Sequence, residues 1–181
     1  NNKNLLESQI DACHKRGIKV PIYTTVQWDY YMSMNHPEWN CISSDGAFIY
    51  RCFDGKTPKV YSPGFYRTLC VNTPYRQFLK DQIEDVINVV GKNNVDGIFL
   101  YIVKVVDCSC EYCKKGMLEK GYNPELYEER IKYAQEMIHD FKKEMTKFIH
   151  NIKPNISVFY NGSHIGPRTM KDKEFYTHWE L

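Results

Sequence analysis

The chain has 181 residues and a formal net charge of +2, with 43% hydrophobic and 25% charged residues. These values are ordinary for a globular protein, and the weak charge, with no long run of Lys and Arg, excludes an electrostatic track for nucleic acid. No apolar run approaches the roughly 20 residues that span a bilayer, so we expect no membrane partner.

The amino-terminal part of the chain predicts one helix, one strand and a long loop. Residues 5–16 place apolar side chains on one helical face, and Gly17 follows as a suitable terminating residue. Residues 18–25 are β-rich, although Pro21 would be awkward in a central strand. Residues 26–69 are aromatic-rich with little periodicity, and a loop of this length in a compact domain is usually functional.

The central part predicts a helix followed by a buried strand. Thr73 and Pro74 suit the N-cap and first helical position, an apolar stripe follows them, and Gly91 ends the helix. Residues 95–106 form a nearly continuous apolar run, which is typical of a parallel strand covered on both faces.

The carboxyl-terminal part predicts the longest helix and two further strands. The helix opens at Asn123-Pro124, carries an apolar stripe and ends before Pro154. The two predicted strands are residues 156–160 and 175–180.

Alternating helices and strands predict an α/β protein whose parallel strands are joined by right-handed crossovers. This pattern leaves a barrel or an open doubly wound sheet. No Gly-x-Gly-x-x-Gly or phosphate-binding loop follows any strand, so the nucleotide-binding form lacks its signature. A complete (β/α)8 barrel needs about 250 residues, so four strands would form part of one.

Three of the seven cysteines form a metal-binding pattern, Cys108-x-Cys110-x-x-Cys113, directly after the predicted central strand. A structural zinc site takes four such ligands. Cys70, at the start of the preceding helix, is the best candidate for the fourth, ahead of Cys52 and Cys41. The alternative is a set of unligated thiols. The odd number of cysteines argues against a fully paired disulfide set, which slightly favours a cytoplasmic location.

Polar and aromatic side chains gather where the predicted strands end, and in a barrel the chemistry lies at those ends. Taken singly, each has a simpler explanation as a turn, surface or core residue. Together they suit a carbohydrate partner, because rings stack on sugars and polar groups reach hydroxyls. The candidate substrate-binding residues are Tyr23, Gln27, Trp28, Asp29, His36, Trp39, Asn161, His164 and His178, and the candidate catalytic carboxylate is Glu180.

Several segments resemble the glycosidase family called hypothetical glycosyl hydrolase 6, in order along nearly the whole chain. The matching stretches are Gly17 to Thr25, His36-Pro-Glu-Trp39 with Asp45-Gly46, Cys70 to Arg76, Val95 to Phe99, Cys108 to Cys113, Phe159-Tyr-Asn161 and Thr177-His-Trp-Glu180. These proteins are similar to family-42 β-galactosidases and, in their barrel strands, to α-L-fucosidases. The resemblance implies an incomplete barrel over residues 1–181, with strands three to six and both ends of the domain missing.

The resemblance also bears on the metal and on catalysis. The β-galactosidases hold a structural zinc with a Cys-x-Cys-x-x-Cys loop and an upstream Cys, which implies Cys70 as the fourth ligand. In the related glycosidases a carboxylate stands at the position of Tyr101, where it corresponds to the fucosidase nucleophile. The phenol of tyrosine ionises near pH 10 in model peptides, so Tyr101 does not replace that carboxylate.

Three functional hypotheses follow from the sequence. The first is part of a glycoside hydrolase acting on a galactoside- or fucoside-like sugar, inactive as this chain alone. The second is a non-catalytic carbohydrate-binding barrel that stacks sugars on its aromatic rings. The third is a zinc-stapled interaction module whose loop 26–69 contacts a partner.

Overall fold

A computed structural model describes residues 5–49 and 67–161 of the chain. Within these ranges the protein is a mixed α/β structure built on a small parallel sheet in the order β1-β2-β3. The strands are β1 (Pro21–Thr25), β2 (Gly97–Tyr101) and β3 (Ser157–Asn161). Pro21 is the first residue of β1, a position where a missing N–H is tolerated.

Five α-helices accompany these strands in the described residues. They are α1 (Leu5–His14), α2 (Tyr30–Asn35), α3 (Tyr75–Val90), α4 (Glu111–Glu119) and α5 (Tyr127–Ile152), with a short 3₁₀ helix at Pro37–Trp39. The helix α3 joins β1 to β2, and α5 joins β2 to β3, as the alternation of the sequence predicts. No helix in the described ranges is long and apolar enough to cross a membrane.

Among the described residues, helices cover one face of the sheet, and the other face, called the open face below, is only partly buried. Ile98 and Leu100 of β2 are fully buried, and Val158 and Tyr160 of β3 are nearly so. The Tyr160 hydroxyl donates a 2.9 Å hydrogen bond to the Lys142 carbonyl of α5, which identifies this face as the helix-covered one. Since side chains alternate along a strand, Tyr23, Phe99, Tyr101, Phe159 and Asn161 share the opposite face.

Close packing on the open face explains the glycine at the start of β2. A Cβ atom on Gly97 would lie 3.2 Å from the Phe159 ring and 3.1 Å from the Ser157 carbonyl oxygen. The Phe159 ring therefore lies over Gly97, where a larger residue would force it aside.

The structure corrects several predicted boundaries. The strand expected at 95–106 ends at Tyr101, because the next residue, Ile102, has a positive φ of 61° that breaks the extended backbone. The segment expected to be a loop over 26–69 contains α2 and the 3₁₀ helix in its described part. The helix α4 lies directly after Cys110, in a segment where no helix was predicted. The strand predicted at 175–180 lies outside the described residues.

Candidate active site and metal centre

The open face of the sheet carries two rows of side chains toward the carboxyl ends of the strands. Tyr23, Phe99 and Phe159 are register partners in one row, and Thr25, Tyr101 and Asn161 are partners in the next. The structure therefore brings Tyr23, Tyr101 and Asn161, all predicted site residues, to the same face and the same end of the sheet.

Tyr101 lies at the centre of an aromatic group on this face. Its ring centroid is 5.0 Å from that of Tyr23 and 6.4 Å from that of Trp28, which meets it edge-on. Tyr23 retains 52% of its surface exposed. Burial of part of this side chain, and then the nearby Tyr101 phenol, raise the pKa of Tyr23, so its hydroxyl stays a neutral donor and acceptor.

Gln27, predicted to bind substrate, instead joins two loops. It is 1% exposed, and its Nε2 donates to the Lys104 carbonyl at 3.2 Å while its Oε1 accepts from the Lys104 N–H at 2.9 Å. The Val26 N–H donates to the Tyr101 carbonyl, and the Val103 N–H donates to the Asn161 carbonyl, both at 2.9 Å. These bonds fix the turn after Tyr101 to both neighbouring strands.

Three other predicted residues have local structural partners. Asp29 is the N-cap of α2, and its carboxylate accepts a 2.9 Å hydrogen bond from the Met32 N–H. His36 stacks on Trp39 with ring centroids 3.7 Å apart and pairs with Glu38. The centroid of the Trp39 ring lies 6.0 Å from that of Tyr75, at the start of α3. The stacked His36 and Trp39 rings therefore lie on the α3 side of the loop.

The remaining predicted sugar-site residues, His164, His178 and Glu180, lie outside the described residues. Their place relative to Tyr101 stays a prediction.

The four predicted metal ligands, Cys70, Cys108, Cys110 and Cys113, come together in the structure. All four are buried, their Sγ atoms lie within 4.8 Å of one another, and those of Cys70 and Cys113 are 3.5 Å apart. Zinc–thiolate bonds of about 2.3 Å in a tetrahedron require sulfur atoms about 3.8 Å apart. The spacing and the donor set therefore fit one zinc ion with no open coordination position.

Local structure explains how these thiols converge. Cys110 is the N-cap of α4, Cys113 lies in its first turn, and Cys70 lies just before α3. Hydrogen bonds from neighbouring thiols, above all Cys110, lower the pKa of Cys108, while contact with Cys108 raises that of Cys113. These opposite shifts arise because the thiols lie in contact with one another.

An ion pair holds the segment between β2 and the thiols. Asp107 accepts from Arg130 Nε at 2.7 Å and from Arg130 Nη2 at 3.1 Å, and Arg130 is 7% exposed. The hydrogen bonds to Asp107 raise the pKa of Arg130. Asp107 therefore anchors this segment to α5.

Three further residues surround the thiols, of which sequence reasoning named Cys41 only as a less favoured fourth ligand and did not identify Asn72 or Tyr133. Cys41 is 1% exposed, and its interaction with Cys108 raises the pKa of its thiol. Asn72 donates to the Tyr133 hydroxyl at 2.8 Å, and burial of Tyr133 raises its pKa to about 12. Asn72 falls within the stretch from Cys70 to Arg76 that resembles the glycosidase family. That resemblance was the sequence feature that could have identified it.

Comparisons with known proteins give the following similarities. A family model described as hypothetical glycosyl hydrolase 6 matches residues 1–102. No curated protein matches the chain. Among solved structures, α-L-fucosidase isoenzyme 2 from Paenibacillus thiaminolyticus is similar at a TM-score of 0.78 and 29% identity, covering 96% of this chain.

The aligned region is 24% of the fucosidase, so the chain spans about a quarter of that protein's length. A debranching enzyme from Nostoc punctiforme aligns at 14% identity over 90% of this chain and 30% of its own, with a TM-score of 0.45. The fucosidase similarity supports a TIM-barrel-like fold, and the weaker one adds no argument.

Proposed function

Since the chain belongs to the hypothetical glycosyl hydrolase 6 family, we propose that it is part of a glycoside hydrolase barrel that holds a fucoside- or galactoside-like sugar. The family description and the similarity to a fucosidase support the relationship to glycoside hydrolases. The observation that carries the proposal is the shared position of Tyr23, Tyr101 and Asn161 on the open sheet face, at the strand ends.

The chain corresponds to the third through sixth strands of the barrel in this proposal. The sequential order of three parallel strands, each joined by a helix, supports it. The open face carries aromatic and polar residues, which suits the interior of a sugar-binding barrel. The sixth strand would come from residues 175–180.

Tyr101 determines the catalytic status in this proposal. Glycoside hydrolysis needs two carboxyl groups at the scissile bond, and Tyr101 stands where the related glycosidases have one of them. Glu180 is the other candidate. The protein therefore binds the sugar and does not cleave it unless a carboxylate is restored.

Hydrolysis of aryl α-L-fucosides and aryl β-D-galactosides by the intact protein tests this account. We expect no turnover above background for the natural protein and measurable turnover for Tyr101→Asp. The matched control is Tyr101→Asn, which has the same shape without the carboxylate. Strong hydrolysis by the natural protein that disappears in Glu180→Gln would overturn the assignment of an inactive site.

A second candidate function is carbohydrate binding without catalysis in any form of the protein. The grouping of Tyr23, Trp28 and Tyr101 favours it, because these rings could stack on a sugar whether or not a carboxylate is present. In that case Tyr101→Asn and Tyr101→Asp would both lack turnover.

The proposal includes a structural zinc ion held by Cys70, Cys108, Cys110 and Cys113. The four buried sulfur atoms and their spacing support it. Such an ion would tie the start of α3 to α4 and would take no part in the reaction. We expect about one zinc per chain in elemental analysis, and loss of most of it in Cys70→Ser. The control is Cys13→Ser on α1, which should retain the metal; equal zinc in both variants would contradict the site.

A further inference from the structure

Asn72 is placed to contact both the thiols and the helix behind them. Its Nδ2 lies 3.9 Å from the Sγ atom of Cys113, 2.8 Å from the Tyr133 hydroxyl oxygen and 3.4 Å from the Tyr112 carbonyl oxygen. A carboxamide NH2 group has two hydrogens, so it can serve Tyr133 and Cys113 together.

The surrounding structure holds this carboxamide in position. Tyr133 projects from α5 and is 5% exposed. A Cβ atom on Gly116 of α4 would lie 2.1 Å from the Tyr133 hydroxyl oxygen, so only glycine leaves room for that hydroxyl to reach Asn72. Helices α4 and α5 therefore both shape the position of one amide beside the thiols.

Cys41 approaches the same centre through a different segment. Its buried thiol interacts with those of Cys108 and Cys70, but it is not one of the four whose sulfur atoms lie mutually within 4.8 Å. Backbone bonds fix it: the Cys41 N–H donates to the Thr68 carbonyl at 2.7 Å, and the Ser109 N–H donates to the Ile42 carbonyl at 2.6 Å.

A zinc ion with four thiolates leaves two net negative charges on buried sulfur atoms. Such charge needs donors, because water is excluded from the site. Groups that hydrogen-bond to metal ligands typically change metal affinity by about 10–100-fold when they are removed. Asn72 offers N–H groups to one ligand, Cys113, and Cys41 offers its single S–H hydrogen to a second, Cys108.

We propose that Asn72 and Cys41 are positioning residues that donate hydrogen bonds to the ligand sulfur atoms and set the affinity of the centre for zinc. This inference rests on the zinc centre proposed above. In this proposal Cys41, the fifth buried thiol of the group, supports the metal ligands and does not bind the metal itself.

Competition between the zinc-loaded full chain and a chromophoric chelator tests the inference. We expect Asn72→Ala and Cys41→Ala to lower zinc affinity by about 10–100-fold. Cys41→Ser keeps a donor and should stay within a few-fold of the natural protein. The control is Asn94→Ala, whose side chain instead donates to the Val90 carbonyl at 3.0 Å.

Cobalt substitution separates this role from direct ligation and from general damage. The sulfur-to-cobalt charge-transfer bands of Cys41→Ala should keep the intensity of four thiolates. Asn72→Asp, which preserves the shape of the side chain, should also lower the affinity for zinc. Unchanged affinity in Asn72→Ala and Cys41→Ala, or loss of one thiolate from the Cys41→Ala spectrum, would overturn the inference. Absence of zinc binding by the natural chain would refute the metal centre itself.

Discussion

Asp96 is the residue that joins three segments at the amino-terminal end of β2. Its carboxylate accepts a 2.8 Å hydrogen bond from the Val20 N–H and pairs with His14 of α1 at 2.7 Å. Partial burial works to raise the pKa of Asp96, but the bonds from Val20 and His14 outweigh it and lower the pKa. The ionised form is therefore the one that stabilises the fold.

The substitution Asp96→Asn should reduce stability in a pH-dependent manner. The pKa of an unfolded aspartate is about 3.9, and the folded pKa is lower. The stabilisation is therefore fully present above about pH 4 and is lost as the pH falls through the folded value. Because Asn keeps one acceptor oxygen, we expect a loss of about 1–2 kcal/mol at pH 7.

Urea denaturation at pH 7 and pH 3 measures this effect. The difference between the natural protein and Asp96→Asn should shrink at the lower pH. The exposed Asp85 of α3 provides the control, since Asp85→Asn should be nearly neutral at both. A difference that stays constant between the two pH values would show that the charge of Asp96 is unimportant.

The spacing of the cysteines predicted which thiols come together, whereas residue type alone did not predict the partners of the polar side chains. The spacing of Cys108, Cys110 and Cys113 constrains where their sulfur atoms can go, so the grouping could be anticipated. Gln27 and Asp29 stood at a predicted strand end, yet Gln27 pairs with backbone groups and Asp29 caps a helix. The sequence does not state whether a polar side chain faces a ligand or a neighbouring loop, because both satisfy the same hydrogen-bonding groups.

At the level of elements, the end of β2 depends on a side chain from the loop after β1. Replacing Gln27 by Ala would leave the Lys104 N–H and carbonyl without these two partners, which costs about 1–3 kcal/mol. We expect faster amide exchange at Lys104, measured by NMR, and a lower free energy of unfolding.

Gln77→Ala serves as the comparison for this change, because the exposed side chain of Gln77 donates to Asp81, one turn along α3. It should leave the exchange rate at Lys104 as it is. An unchanged rate in Gln27→Ala would mean that Ile102 and the backbone bonds alone define this turn.

Elements with a strong periodic stripe were predicted well, and those without one were not. The apolar stripes that predicted α3 and α5 include Leu79, Ile83, Phe141 and Met145, and all four side chains are buried in the structure. The run after β2 stayed apolar past Tyr101, so nothing in its hydrophobicity marked the left-handed Ile102. The helix α4 buries only Cys113 and Met117, too few positions to give a periodic signal.

For the whole molecule, helix–strand alternation was sufficient to predict an α/β fold with parallel strands. It could not distinguish a barrel from an open sheet, since both use the same crossover unit. The similarity to a fucosidase, which covers 96% of this chain, supports the barrel-like fold. The proposed sugar site would also draw side chains from strands other than the three described.

Sugar binding by the intact protein is the most direct test of the proposed site. Calorimetric titration with L-fucose and D-galactose should show binding that falls at least about tenfold in Tyr101→Ala and Asn161→Ala. Val89→Ala, at the far end of α3 and 52% exposed, should bind as the natural protein does. Equal affinity in all three variants, or no binding of either sugar, would contradict a sugar site at the ends of these strands.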